Sequence, residues 1–449
     1  MEKKNSFMQT KPVLPLLLSM AVPMMLSMLI QSLYNIVDSI YVSRLGTEAL
    51  TAVSLAYPLQ NTITAVSVGI GVGISSAISI FLGAGAQEKA NRAATIGVAL
   101  SAVHCLLFIL AGIFVTRPFL ELFTGNPAVL KDACDYTYIV LCASFGCILQ
   151  ITMEKIFQGI GEMKITMYLL ASGCIINIVL DPILIFGLLG FPAMGVAGAA
   201  IATVVGQICA FLLYIVVYMR RSFAVQIHPK YLCFDKGIIS RIYSVGIPSS
   251  IMLTLPSVLV SVLNSILAAF SDTCVAVLGV YFKLQTFIYM PANGIVQGMR
   301  PVVGYNYGAG EQGRVKSAIR YSLLCTAAIM LLGTLLSLLI PGQIFGLFDA
   351  DAELLSAGIT ALRIISLGFL VSTIGVIASG VFEALGEGRH SLAVSLLRQF
   401  AITIPLSFVL SRFLGAVGVW ISFPAGEFCA AVVALVLLKK YKGGAFSPF

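Results

Sequence analysis

Twelve apolar stretches, each long enough to cross a bilayer, recur along the chain between charged or Pro/Gly-rich breaks. They lie near 13–42, 50–82, 94–116, 131–159, 165–188 and 194–219, then near 240–270, 274–305, 318–341, 353–384, 391–413 and 416–438. In hydrocarbon a segment must satisfy its own backbone N–H and C=O groups, so stretches of this length are expected to be helices. Only 10% of the 449 residues are charged and 59% are hydrophobic. A soluble domain carries about 25% charged residues, so the chain reads as a multi-pass membrane protein.

The net charge of +8 has no solvated domain on which to form a nucleic-acid face, and its meaning is topological. Lys3, Lys4 and Lys11 precede the first stretch, which reads as an uncleaved span. Lys89 and Arg92 follow the second stretch, and Arg220, Arg221, Lys230, Lys236 and Arg241 fill the centre of the chain. Arg314, Lys316 and Arg320 follow the eighth, and Lys439, Lys440 and Lys442 the last. The alternate loops are poorer in Lys and Arg, including an acidic run at 349–353. Both termini and the central loop are therefore expected in the cytoplasm, with the chain in the plasma membrane. Ten scattered cysteines without a CxxC pair point to neither a disulfide framework nor a zinc site.

A shift of 225 residues superimposes the two halves without a gap. Pro23 falls on Pro248, Gln60 on Gln285, "GIGVG" at 69–73 on "GIVQG" at 294–298, and "GAGAQ" at 83–87 on "GAGEQ" at 308–312. Phe157, Gly161 and Glu162 fall on Phe382, Gly386 and Glu387. Six spans per half is an even number, so both halves enter from one side. The expected fold is all-α, with twelve transmembrane helices in two parallel six-helix repeats around a central cavity. The lobes would be 1–219 and 242–449, joined by a cytoplasmic loop over 220–241. Small residues in the Gly-rich strings read as packing and bending points.

Catalytic signatures are missing from the sequence. Three scattered histidines, no HExxH, no GxSxG and no Gly-Lys dipeptide exclude the common hydrolase patterns and an ATP-binding P-loop. An ion gradient is the natural energy source, with no cofactor and no enzymatic activity expected.

Acids inside spans are costly and mark functional sites. Asp38, Glu154 and Asp181 are three such acids in the first half, and the repeat places Leu263, Ser379 and Leu406 at the matching positions. Asn177 and Asp181 share a helix face, and Pro182 frees the carbonyl of Ile178. Carboxylate, amide and free carbonyl together suit a proton or Na⁺, with Na⁺ held by Asp38, Asn177 and Asp181. Tyr34 and Asn35 flank Asp38, Gln150 precedes Glu154 by one turn, and Thr203 with Gln207 offers further oxygens for cation or substrate. Asp38 and Asp181 lie in the outer parts of their spans and are expected to share one site, with Glu154 apart. The plain alternative for each acid is a structural hydrogen bond to a neighbouring helix, and Thr203 and Gln207 also read as packing residues. Lys155, Lys164 and Glu162 read as a cytoplasmic loop cluster. The halves are expected to differ, with coupling acids only in the first.

"NIVDSIYVSRLG", "GAGAQEKANRA", "FQGIGEMK" and "NIVLDP", in that order in a duplicated twelve-span chain, resemble the multidrug and toxic compound extrusion (MATE) transporters. The resemblance covers essentially the whole chain. It implies that Asp38, Asn177 and Asp181 belong to a cation-coupling site of the amino-terminal lobe, with Glu154 and Thr203 at positions used by some members. Relatives with acids in the seventh and tenth spans are not matched, since Leu263 and Asn264 stand in the seventh. The implied activity is antiport: amphipathic, often cationic, small molecules leave in exchange for H⁺ or Na⁺. The bilayer would be the chain's surroundings, with no nucleic acid and no obligate protein partner. An alternative within the wider superfamily is a lipid-linked sugar flippase, for which Lys283, Arg300 and Arg363 would supply headgroup cations. A membrane receptor or enzyme lacks a sensor domain or catalytic set.

Overall fold

The computed structural model describes residues 7–346, 348 and 352–441. Lys3, Lys4, Lys442 and the acids at 349 and 351 lie outside the described residues. Twelve membrane-length helical segments follow in order: α1 (Val13–Ser43), α2 (Thr47–Gly83), α3 (Gln87–Glu121), α4, α5 (Met163–Phe186) and α6 (Gly195–Arg220), then α7 (Lys236–Leu267), α8 (Asp272–Gly308), α9 (Gln312–Leu339), α10 (Ala352–Ala384), α11 and α12 (Ala416–Lys440). All twelve expected spans are present, and no strand occurs among the described residues.

Two spans are irregular in ways that hydropathy does not show. Helix α4 consists of Pro127–Cys142 and Phe145–Gly159, bent by 46°. No proline lies at the bend. Gly146, just past it, lets α6 approach so closely that a Cβ there would lie 2.8 Å from Ile208 Cγ1. Helix α11 runs from Gly388 to Leu414 through a π-helical turn at Leu397–Ile402. There Thr403 Oγ1 donates to the carbonyl of Arg398, five residues back. A side chain inserted in this way displaces the regular ladder bond.

The repeat is visible in the helix ends. Gly85 and Gly310, and likewise Gly161 and Gly386, have φ between 69 and 85°. At each, the following N–H reaches back to the carbonyl five residues earlier: Ala86 to Phe81 and Glu162 to Phe157 (2.9 Å each), Glu311 to Asn306 (2.9 Å) and Glu387 to Phe382 (2.7 Å). This cap needs a left-handed residue, for which glycine has no steric penalty. That explains why both "GAG" strings and both "GE" strings survive in the two halves.

The chain forms two compact units. One comprises Leu26–Ser250, the other Met8–Met25 together with Ile251 onward. Helices α1 and α7 therefore each belong to both. The paired glycines of the repeat receive these helix starts. In the first unit, a Cβ on Gly69 would lie 2.5 Å from Ser250 N, and Gly73 abuts the Ile242 carbonyl of α7. In the second, a Cβ on Gly298 would lie 2.6 Å from Ala21 N, and Gly294 abuts Met25 of α1. Pro23 and Pro248 each stand shortly before the residue where the helix passes into the other unit.

The segments leading into α1 and α7 are held as well. Asn91 Oδ1 accepts from Gln226 N (2.8 Å), Thr95 Oγ1 from His228 N (3.3 Å), and Gln87 donates to the Ala224 carbonyl. Spaced by four, these side chains form one stripe on α3 that holds the central loop on the first unit. In the second unit Arg314 donates to the carbonyls of Met8 (2.9 Å) and Lys11 (2.7 Å), and Asn306 also donates to Met8 (3.2 Å). The two segments are thus held by residues that do not correspond in the repeat.

Candidate functional site

Helix α5 places Asn177 and Asp181 one turn apart, and both are buried. Asp181 is fully shielded, at 0% exposure. Thr203 of α6, also buried, faces Asn177 because Gly206 lets the two helices close: a Cβ on Gly206 would lie 3.2 Å from Asn177 Cβ. Asn177 Nδ2 lies 3.4 Å from Asp181 Oδ1 and 3.3 Å from Thr203 Oγ1. With the amide turned over, its nitrogen donates to Asp181 Oδ2 at 3.2 Å and its oxygen accepts from Thr203 N at 3.0 Å. The turned form satisfies every partner. Pro182 follows within the helix and removes the donor that the Ile178 carbonyl would otherwise have.

Asp38 of α1 completes the centre. Its carboxyl lies beside that of Asp181, and its Oδ1 is buried with no hydrogen-bond partner among the described residues. Two carboxylates cannot both stay ionised in contact and away from water unless a proton or cation lies between them. Tyr34, one turn before Asp38, and Tyr136 of α4 are within electrostatic reach of it, and Tyr136 is also within reach of Asp181. Tyr136 donates to Gln60 Oε1 of α2 at 3.1 Å. The centre thus draws on five helices of the first unit. Sequence reasoning did not select Tyr136 or Gln60 for it. Gln60 stood out only as a repeat anchor, and Tyr136 sits in the first arm of a span whose bend was not foreseen.

The remaining sequence candidates fall outside this centre. Asn35 is exposed on α1, and Gln150 and Gln207 are half-buried. Among the described residues none of the three hydrogen-bonds to the acids. Glu154 forms a separate group. Its Oε1 accepts from Lys155 Nζ (3.1 Å) and Gln158 Nε2 (2.8 Å), and the Lys155 ammonium also reaches Gln158 Oε1 (3.0 Å). Lys155 does not belong to a cytoplasmic loop cluster: it is buried, at 4% exposure. The stem of Lys155 fits against α2 because Gly71 has no side chain there, a Cβ on which would lie 2.5 Å from Lys155 Cγ. At the matching contact of the second unit the sizes are exchanged, with Val296 against Gly380.

The second half also carries acids within its spans, each beside an arginine. Glu383 of α10, buried, and Glu427 of α12, half-buried, are acids of the second unit paired with Arg300 and with Arg398 (Nε to Oε1 3.7 Å) respectively. Their partners lie far away in sequence, which is why spacing did not reveal them. At the position matching Asp38, by contrast, Leu263 packs fully buried in the hydrophobic core around Tyr281, Phe369 and Trp420. Groups of three or more His, Cys, Asp or Glu suited to a metal are absent among the described residues. The centre at Asp38 offers two carboxylates with neutral oxygens.

Comparison with known proteins agrees with this architecture. The family model MatE matches residues 23–183 and again 248–409, the second match starting 225 residues after the first. The chain is 27% identical over 437 residues to the "Multidrug export protein MepA" of Staphylococcus aureus (strain MSSA476), covering 96% of this chain and 95% of that protein. It is 26% identical over 419 residues to the protein of the same name from Staphylococcus saprophyticus, covering 93% and 92%. A solved structure described as an outward-facing conformation of a multidrug resistance MATE family transporter superposes with a TM-score of 0.90, at 27% identity over 97% and 96% of the two chains. Another, described as a transporter of the MOP superfamily from Pyrococcus furiosus with a reversed polarity of its binding pocket, superposes with a TM-score of 0.90 at 26% identity over 97% and 96%.

Proposed function

The chain belongs to the MatE family, and on that footing we propose that it is a secondary antiporter of the plasma membrane exporting amphipathic, often cationic, compounds in exchange for H⁺ or Na⁺. The observation that carries this reading is the buried contact of Asp38 with Asp181, one carboxyl on α5 and the other on a helix that belongs to both compact units. The relatives named as multidrug exporters supply the substrate class.

In this reading the pair of carboxyls takes one proton or one Na⁺, with Asn177, Thr203 and the Ile178 carbonyl completing its surroundings. When the pair is empty, its negative charge is unbalanced in a low-dielectric interior, which favours rearrangement or the arrival of a cationic compound. Coupling then follows from differential affinity: the ion and the exported compound must favour different arrangements of the chain, or neither moves the other. Glu154 contributes less directly, since Lys155 beside it already balances its charge. Both termini and the central loop face the cytoplasm in this proposal, as the distribution of Lys and Arg requires. The flippase reading loses support from Arg300, which is engaged by Glu383.

Transport into proteoliposomes tests the reading. A pH gradient and a Na⁺ gradient are imposed separately, and one of them should drive uptake of a cationic dye against its own gradient. If neither gradient drives uptake above that of protein-free vesicles, the antiport proposal fails.

A further inference from the structure

On the second unit a groove of about 600 Å³ opens between α9 and α10. Its walls are Leu323, Leu324 and Ala327 on one side and Leu370 and Ile374 on the other, with Arg320 and Thr373 as its polar residues. Two features distinguish it from ordinary lipid-facing surface. Thr373 is 3% exposed, and its Oγ1 has no hydrogen-bond partner among the described residues. A buried hydroxyl left unpaired costs on the order of 1–3 kcal/mol, so a ligand with an acceptor at that place gains from meeting it. Arg320 is exposed and takes part in no ion pair among the described residues, and Lys316, also exposed, lies one turn before it on the same face.

The levels of these groups match one kind of occupant. Arg320 stands about 12 Å from the start of α9 at Gln312, and Thr373 about 16 Å from the end of α10 at Ala384, taking 1.5 Å per residue. The start of α9 is basic, with Arg314, Lys316 and Arg320, and Arg389 follows the end of α10. A bilayer passes from headgroup to hydrocarbon within this range, and a long arginine side chain reaches back toward the headgroups. Leu324 (56% exposed) and Leu370 (43%) show that the groove opens on an apolar outer face. The first unit differs here: Thr95, at the position matching Arg320, is occupied by the N–H of His228 from the central loop.

We propose that this groove binds an anionic phospholipid of the leaflet at the basic start of α9. Its phosphate lies against Arg320 and Lys316, an ester carbonyl accepts from Thr373 Oγ1, and one acyl chain fills the apolar groove. The site is independent of the Asp38 centre, so it stands whether or not the antiport reading does.

The test uses the purified full-length protein and native mass spectrometry, titrated with phosphatidylglycerol or with phosphatidylcholine of the same acyl chains. The wild type should hold phosphatidylglycerol at least fivefold more tightly. Arg320→Gln should lower that advantage about fivefold, the effect of roughly 1 kcal/mol per arginine near a charged headgroup, and leave phosphatidylcholine binding unchanged. Ala327→Phe, which fills the groove, should weaken both lipids. Equal binding of the two lipids by the wild type, or an unchanged preference in Arg320→Gln, overturns the proposal. So does displacement of phosphatidylglycerol by millimolar inorganic phosphate, which would show an ion site, or by a cationic dye, which would assign the groove to exported compounds.

Discussion

Replacing Lys155 by methionine keeps the length and apolar stem that lie against Gly71 but removes the cation beside Glu154. The side chains of Lys155 and Glu154 are 6% and 11% exposed. At the surface such a pair is worth about 0–1 kcal/mol; with both partners buried, losing one costs about 3–5 kcal/mol, because the other charge stays behind unpaired. Lys155→Met and Glu154→Gln should therefore each lower stability by an amount in that range, read as a loss of folded, monodisperse protein on heating in detergent. The double variant removes both charges and keeps an amide at position 154 within reach of Gln158, so it should recover most of the loss. The non-additivity of the cycle is the measured quantity. Dye export by the double variant should return with stability, since the proposed ion exchange belongs to Asp38 and Asp181. Recovery of stability without recovery of gradient-driven export would place the coupling carboxyl at Glu154 and refute this assignment.

Further expectations follow from the same geometry. Gly73→Val and Gly298→Val force a branched side chain into a backbone of α7 or α1, and each should reduce the yield of folded protein sharply, while Gly313→Ala, where nothing lies within 4 Å, should not; size-exclusion profiles at equal expression decide. Cys233 is exposed in the central loop, so a membrane-impermeant thiol reagent should label it in inside-out vesicles and miss it in intact cells; the reverse pattern inverts the proposed topology. Ser379→Ala, at the position matching Glu154, should leave transport in proteoliposomes within about twofold of wild type, because a serine hydroxyl does not titrate; a loss as large as that of Asp38→Asn would tie coupling to the second unit.

Hydropathy alone located all twelve spans, because a bilayer leaves a chain few alternatives to long apolar helices. The 225-residue shift was equally legible, and the structure explains its anchors. Gly85, Gly161, Gly310 and Gly386 close helices in the left-handed conformation, while Gly69, Gly73, Gly294 and Gly298 admit a crossing helix. Which unit holds the start of α1 or α7 was not legible, since that depends on contacts between residues more than 150 positions apart, such as Gly73 with Ile242. The bend in α4 has no proline to mark it, whereas at the π turn of α11 Pro405 withholds a donor from the Ala401 carbonyl and Thr403 donates to the carbonyl of Arg398. At the site, one-turn spacing was enough to pair Asn177 with Asp181, and span polarity to bring Asp38 to the same level. Charge adjacency misled for Lys155, where the deciding fact is a slot opposite Gly71. The Arg300–Glu383 and Arg398–Glu427 pairs were hidden for a related reason: no local pattern links an arginine with an acid on another helix.

The central claim is that one ion and one cationic compound compete through Asp38 and Asp181. Equilibrium binding of a fluorescent cationic dye to the purified protein, measured across pH at fixed Na⁺ and across Na⁺ at fixed pH, tests it most directly. In the wild type, dye affinity should fall as either H⁺ or Na⁺ rises. In Asp38→Asn and Asp181→Asn, at unchanged fold, it should respond to neither ion. Persistence of the wild-type ion dependence in both variants would contradict the account.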